Sequence, residues 1–238
     1  MFDSDSICAV LLDIEGTTTP ISFVFDVLFP YAAENIGRYL AEHLDDPQLQ
    51  PALRDLRAKR DADQWNEAWA TSEVESLAAY ARHLMSQDSK FSALKSLQGE
   101  IWQQGYSSGE LLGQVFDDVP IALRRWRDLG RNIFIYSSGS VLAQKLIFAH
   151  TKHGDLTPLI EGYFDTTIGI KSDRQSYEKI AVEIKTKAFQ ILFISDSLKE
   201  LDAAHFAGMH VKHSIRPGNP PAPASGYESI RNFDELPF

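Results

Sequence analysis

The sequence predicts an α/β protein with a parallel sheet and an inserted helical segment. Two observations carry this prediction. Short apolar runs alternate with helical patterns from about residue 118 to the end of the chain, which is typical of a parallel sheet covered by helices. Between the first strand and this region, residues 20–115 hold several helical patterns and no apolar strand. The chain therefore divides into a first core segment (1–19), a helical insertion (20–115) and a second core segment (116–238).

The strands are predicted from continuous apolar runs. The first run, residues 7–12, ends abruptly at Asp13, and similar runs occupy residues 132–136 and 190–194. A weaker run at 210–213 is the fourth predicted strand. Runs without polar alternation suit strands that are buried on both faces, so the first three are expected to be neighbours in one sheet.

Helical patterns occupy the intervals between these runs. Asp118, followed by Pro120 in the first turn, predicts an N-cap, and Gly130 ends that helix. Further helices are expected at 140–150, from 172 or 173 to 184, and at 198–207. Within the insertion, helices are expected at 32–44, 53–60, 72–84 and 91–103.

Composition and charge exclude several classes of protein. The 33 acidic and 23 basic side chains give a net charge of −10, whereas nucleic-acid binding needs clustered Lys and Arg. No run approaches the ~20 apolar residues of a membrane span, and residues 1–5 carry no basic leader. The only cysteine, Cys8, is expected to be a small buried residue. We therefore expect a cytoplasmic protein that binds neither nucleic acid nor membranes.

Polar side chains follow the three strongest strands at their carboxyl ends. They are Asp13 and Glu15, Ser137 and Ser138, and Asp196. In an open parallel sheet these ends lie at one edge, where ligands bind near a switch in strand order. Folding is therefore expected to bring these side chains together, with the serines at a helix start that can bind phosphate.

Asp13 and Glu15 suit acid–base and nucleophilic work on a phosphate ester. A carboxylate with a reference pKa near 3.9 is ionised at pH 7 and can attack without a general base. Glu15 can face the same site because Ile14 points away, and its carboxyl could protonate a leaving oxygen and then activate water. An Asp at a strand end also commonly caps a turn, and Asp13 alone leaves both interpretations open.

A metal site and a cation are expected beside these carboxylates. Asp13 and Asp196 together suggest Mg²⁺, which takes oxygen ligands and keeps several waters. Lys171 could neutralise a phosphoryl group or an enolate, although most lysines are surface charges. Glu200, four residues after Asp196, could hold Lys171 or a metal-bound water, or could be a solvated helix charge.

These residues resemble the four motifs of the haloacid dehalogenase superfamily, in the usual order. The motifs are Asp13–Thr17, Ser137–Gly139, Lys171 and Asp196. Glu15 replaces the second Asp of the usual Asp-x-Asp motif. With the blocks around them, 12–18, 26–31, 136–146, 164–177, 196–204 and 216–219, they resemble the enolase-phosphatases of methionine salvage.

The resemblance implies a monomer with a helical cap, one Mg²⁺ and a small-molecule phosphate substrate. The implied substrate is 2,3-diketo-5-methylthiopentyl-1-phosphate, which is enolised and then dephosphorylated through an aspartyl phosphate. The product is the acireductone 1,2-dihydroxy-3-keto-5-methylthiopentene. The resemblance further implies that Asp13, Asp196 and the backbone carbonyl of Glu15 bind the metal. It implies that Ser137, Ser138 and Lys171 bind the substrate.

Three other functions stay open on the sequence. A general sugar-phosphate or nucleotide phosphatase would keep the fold and change the substrate. A dehalogenase would need neither a metal nor the second acid at Glu15. A phosphate-binding module without catalysis is disfavoured by the set Asp13, Lys171 and Asp196.

Overall fold

A computed structural model describes residues 6–65, 70–221, 226–236 and 238. Six strands form one sheet in the order β3-β2-β1-β4-β5-β6, and every neighbouring pair is parallel. The strands are β1 (Ala9–Leu12), β2 (Asn132–Tyr136), β3 (Gly162–Phe164), β4 (Ile191–Ser195), β5 (His210–Ser214) and β6 (Ser229–Ile230). The predicted parallel α/β architecture is confirmed.

The strand order reverses at β1, which pairs with β2 on one side and β4 on the other. β1 and β4 are buried along their whole length, as their unbroken apolar runs predict. Leu12 pairs with Ile194 in β4, so Asp13 emerges beside the last residue of that strand. Its N–H donates to the Ile194 carbonyl at 3.0 Å. The first predicted functional residue therefore lies at the switch point of the sheet.

The strands β3 and β6 were not predicted from the sequence. β3 has three residues and β6 has two, and they form the two edges of the sheet. Strands this short carry no recognisable pattern of their own, since pairing with an existing sheet decides them.

The sheet belongs to a compact unit that comprises Met1–Val24 and Leu112–Phe238, and four α-helices belong to the same unit. They are α5 (Val119–Asp128), α6 (Val141–Ala149), α7 (Arg174–Glu183) and α8 (Leu198–Phe206). Ser140 and Asp173 cap α6 and α7 by accepting backbone N–H groups in the first turn.

Asp118 occupies the predicted N-cap position of α5, but its side chain does not cap the helix. Its Oδ2 instead accepts from Arg216 Nη1 at 2.9 Å and from the Phe233 N–H at 2.6 Å. A buried guanidinium is a stronger partner for a carboxylate than a helix N–H, so the tertiary contact prevails.

The second compact unit is Phe25–Leu111, which is helical. Its helices are α1 (Phe29–His43), α2 (Gln50–Ala62), α3 (Glu73–Ser86) and α4 (Ser92–Ser108), and a π-helical turn spans Phe23–Leu28. Ser72 caps α3 by accepting the Glu75 N–H, and the Glu75 carboxylate accepts the Thr71 N–H. This reciprocal arrangement explains a well-defined helix start.

Cys8 is exposed, so the expectation of a buried thiol is wrong. β1 begins at Ala9, and Cys8 lies just before it, where its N–H donates to the Gln190 carbonyl. The apolar run therefore extends beyond the strand, with Ile7 buried and Cys8 exposed before β1 begins. Residues 1–5, on which the leader argument was based, lie outside the described part. Within that part, no helix combines the length and apolar character needed to cross a bilayer.

Candidate active site

The carboxylate of Asp13 is buried and held by three hydrogen-bond donors. Its Oδ1 accepts from the Ile14 N–H at 2.8 Å and from Lys171 Nζ at 2.5 Å. Its Oδ2 accepts from Ser195 Oγ at 2.9 Å. Only 3% of the residue is exposed, so these donors replace water and fix the orientation of the carboxylate.

Lys171 is a buried cation between two carboxylates. Besides Asp13, its Nζ lies 2.7 Å from Glu200 Oε2. Burial disfavours the charged amine, but the nearby carboxylates outweigh it and raise the pKa of Lys171 above its ordinary value. The Tyr177 hydroxyl donates to the Lys171 carbonyl at 2.7 Å and anchors the backbone. Lys171 therefore stays charged and compensates the negative charge of Asp13.

Ser195 is a site residue that the sequence analysis missed. It is fully buried, and its Oγ lies 2.9 Å from Asp13 Oδ2 and 3.0 Å from Glu200 Oε2. One hydroxyl proton can serve only one carboxylate at a time. A signal was available, since aligning the apolar runs of β1 and β4 at Leu12 and Ile194 puts Ser195 beside Asp13.

Replacing Ser195 with alanine is expected to lower kcat for phosphate release by about 10-fold or more, because a hydrogen bond to a charged group contributes about 1.5–3 kcal/mol. Ser195→Thr retains the hydroxyl and suits a strand, so it should keep most of the activity. Steady-state kinetics on both variants, with thermal unfolding as the control, measure this. Equal losses in Ser195→Ala and Ser195→Thr would show that side-chain size, not the hydroxyl, matters.

Glu15 contacts the loop that follows β2. Its Oε2 accepts from Ser137 Oγ at 3.3 Å. Ser137 is buried, its N–H donates to the Phe164 carbonyl, and its Oγ accepts the Gly139 N–H at 3.1 Å. Ser138, next in the loop, is partly exposed. The residues after β1 and β2 are thus brought together.

Gln144 holds this loop from α6. Its side-chain amide donates to the carbonyls of Gly139 at 2.9 Å and Phe164 at 2.8 Å, and the residue is buried. An isolated glutamine in a predicted helix does not indicate its hydrogen-bond partners, so no role was predicted for Gln144.

Asp196 and its surroundings fit a hard cation. Burial, followed by the charge of Asp13, raises the pKa of Asp196 to about 7, and the same two causes raise the pKa of Glu200 to about 7. A buried carboxylate whose pKa is raised by a neighbouring negative charge is a suitable ligand for a positive ion. Among the described residues, no three His, Cys, Asp or Glu side chains are grouped for a metal. The oxygen ligands available to a cation here are the carboxylates of Asp13 and Asp196 and backbone carbonyl oxygens.

The loop after Asp13 needs glycine at position 16. Gly16 has φ of +69°, and a Cβ there would collide with the Asp196 carboxylate. Its carbonyl accepts from Ser214 Oγ at 3.1 Å and Asn219 Nδ2 at 3.0 Å. Arg216 Nε donates to the next carbonyl, that of Thr17, at 2.9 Å. Side chains of residues 214–219 therefore hold this loop in place.

The fold and the site define a class of hydrolase. The haloacid dehalogenase-like hydrolase family model matches residues 7–208. The matched range contains β1 to β4 and every predicted site residue.

Similar individual proteins indicate a more specific group within this class of hydrolases. "Enolase-phosphatase E1" of Synechococcus elongatus is 46% identical over 233 residues, covering 97% of this chain and 98% of that one. A Populus trichocarpa protein named "Probable bifunctional methylthioribulose-1-phosphate dehydratase/enolase-phosphatase E1" is 43% identical, covering 95% of this chain and 46% of its own length. The crystal structure of the UTR4 protein of Saccharomyces cerevisiae superposes with a TM-score of 0.80 at 36% identity, over 97% of this chain and all of that one.

The chain therefore belongs to the haloacid dehalogenase-like hydrolases and, within them, to the enolase-phosphatases. It is an enzyme of the phosphatase type, and proteins of this family generally depend on a metal ion.

Proposed function

We propose that this chain converts 2,3-diketo-5-methylthiopentyl-1-phosphate into 1,2-dihydroxy-3-keto-5-methylthiopentene and phosphate, in methionine salvage. The observation that carries the proposal is the buried, triply hydrogen-bonded Asp13, followed two residues later by a carboxyl that reaches Ser137. The Populus relative supports the substrate, because its name joins this activity to a methylthioribulose-1-phosphate dehydratase. Loss of water from that sugar phosphate produces a diketo phosphate.

Asp13 is the nucleophile in the phosphatase step. Its carboxylate attacks phosphorus, the bond from phosphorus to the ester oxygen breaks, and an aspartyl phosphate forms. Glu15 gives a proton to the leaving oxygen and then takes one from the water that hydrolyses the aspartyl phosphate. Lys171 stays charged beside Asp13 and offsets the negative charge that gathers there.

Glu15 also serves the enolisation step. Its carboxylate removes a proton from C1, the carbon between the phosphate ester and the C2 carbonyl, and gives that proton to the oxygen on C2; Glu15 then takes a proton from solvent for the phosphatase step. A C1–C2 double bond forms, as the product requires. The glutamate side chain is one methylene longer than aspartate, so its carboxyl can reach past the phosphate. Ser137 and Ser138 bind the substrate at the start of α6.

The cation is Mg²⁺, one per subunit, held by Asp13, Asp196 and the backbone carbonyl of Glu15. When bound, it would reduce the repulsion between the Asp13 carboxylate and the phosphate. Glu200 holds Lys171 in position through the 2.7 Å ion pair. The surroundings of Asp196 support this assignment, because its carboxylate is largely withdrawn from water and feels the negative charges of Asp13 and Glu15.

We also propose a domain organisation, an oligomeric state and a cellular location for the protein. The helical insertion, residues 20–115, is the cap domain of the fold, and the separate helical unit Phe25–Leu111 supports this. The protein acts as a monomer in the cytoplasm, and one chain supplies every residue assigned above. Light scattering on the purified protein measures the oligomeric state.

The test of the function is a coupled assay on the diketo phosphate with and without Mg²⁺. Acireductone absorbance and free phosphate should rise together, well above the rate with p-nitrophenyl phosphate as the control substrate. EDTA should abolish both signals and added Mg²⁺ should restore them. Turnover of the control substrate alone would retain the phosphatase chemistry of Asp13 and reject the substrate.

Replacing Glu15 with glutamine is expected to slow both enol formation and phosphate release by about 10²–10⁴-fold, the usual contribution of a general acid or base. The amide keeps the length and the hydrogen-bonding oxygen but cannot carry the proton. Glu183→Gln, an exposed glutamate at the end of α7, is the matched control and should leave both rates unchanged. Enol formation at the wild-type rate in Glu15→Gln would exclude Glu15 as the proton carrier.

A further inference from the structure

The side-chain amide of Asn219 has a defined orientation. Its Nδ2 donates to the Gly16 carbonyl at 3.0 Å and faces the Ser214 carbonyl at 3.5 Å. The two ends of an amide have the same shape, but only the NH₂ end can donate to two carbonyl oxygens. The oxygen, Oδ1, must therefore point to the opposite side.

On that side Oδ1 meets another acceptor. It is buried, and it accepts no hydrogen bond from the described part of the chain. Its neighbour is Asp196 Oδ2. Both oxygens surround the point that a Cβ on Gly16 would occupy, Asn219 Oδ1 at 2.9 Å and Asp196 Oδ2 still nearer. A buried acceptor such as Oδ1 is unfavourable without a donor, because it loses its water without gaining a partner.

We infer that Asn219 is an additional residue of the proposed cation site, with its Oδ1 facing the cation or one of the cation's waters. Amide oxygens and carboxylates are both ligands that hard divalent cations prefer, and a cation or its water beside Asp196 would supply the partner that Oδ1 lacks. This inference rests on the proposed function, because it assumes that a divalent cation binds beside Asp196.

The same side chain connects the cation to the loop that carries Asp13. While Oδ1 faces the cation, Nδ2 holds the carbonyl of Gly16, the residue directly after the proposed backbone ligand Glu15. One side chain therefore sets the position of the loop and completes the polar surroundings of the ion, as outer-shell partners of metal sites commonly do.

The test measures Mn²⁺ binding to the substrate-free protein by titration calorimetry and electron paramagnetic resonance, without any activity assay. Asn219→Ala is expected to raise the Kd for Mn²⁺ by about 10-fold or more, the usual loss when an outer-shell partner is removed. Ser214→Ala is the matched control. It removes another hydrogen bond to the Gly16 carbonyl, at 3.1 Å, but no oxygen next to Asp196, so its Kd should stay within about 2-fold of wild type.

A second variant keeps the inference testable if Asn219→Ala folds poorly. Asn219→Asp loses the donor to the Gly16 carbonyl but retains an oxygen on the cation side and adds charge, so it should bind Mn²⁺ more tightly than Asn219→Ala. Wild-type affinity in Asn219→Ala, or an equal loss in Ser214→Ala, would overturn the role of Oδ1 while leaving the cation site intact. Failure of the wild-type protein itself to bind Mn²⁺ would overturn the cation site of the proposed function, and this inference with it.

Discussion

Replacing Asp13 with asparagine is expected to abolish phosphate release, by about 10⁴-fold or more, because the nucleophile itself is removed. The amide has nearly the same shape as the carboxylate and leaves Lys171 paired with Glu200. Enolisation, which in the proposed mechanism depends on Glu15, should survive in part. Single-turnover assays that follow acireductone-type enol absorbance and free phosphate separately measure the two steps.

The matched control for this variant is Asp45→Asn, an exposed aspartate of the helical unit. It should leave both steps unchanged. Thermal unfolding of Asp13→Asn should show a folded protein, so that the loss is one of chemistry. Phosphate release at the wild-type rate in Asp13→Asn would exclude Asp13 as the nucleophile and, with it, the aspartyl phosphate.

Replacing Lys171 with methionine is expected to lower the free energy of unfolding by about 3 kcal/mol and to lower kcat by at least about 100-fold. Methionine fills a similar volume but leaves the buried carboxylates of Asp13 and Glu200 without their counter-charge. Urea unfolding and steady-state kinetics measure the two effects on the same preparation.

Lys199→Met is the control for that variant, because Lys199 is exposed on α8, directly beside Glu200 in the sequence. It should change neither stability nor rate. If Lys171→Met loses activity but unfolds at the wild-type urea concentration, the ion pairs contribute to catalysis alone, and the stabilising role of Lys171 is wrong.

The sequence predicted the parts of this protein that depend on local pattern. The unbroken apolar runs at β1, β2 and β4 predicted buried central strands, because no polar residue interrupts either face. The cap residues Ser140 and Asp173 act within one helical turn, so their helices begin where the sequence indicates. The spacing of Asp13 and Asp196 after their strands, read with parallel-sheet topology, was enough to predict that they share one edge of the sheet.

Other features were decided only by contacts between segments distant in the chain. The carboxylate of Asp118 bonds to Arg216 and to the Phe233 N–H, about one hundred residues away, instead of capping its own helix. The edge strands β3 and β6 exist because a neighbouring strand offers them hydrogen bonds. Ser195 and Asn219 contact Asp13 and Gly16 because of the register of β4 and the turn after β5. The physical reason is that a hydrogen bond selects a partner by distance and direction, which the tertiary structure alone supplies.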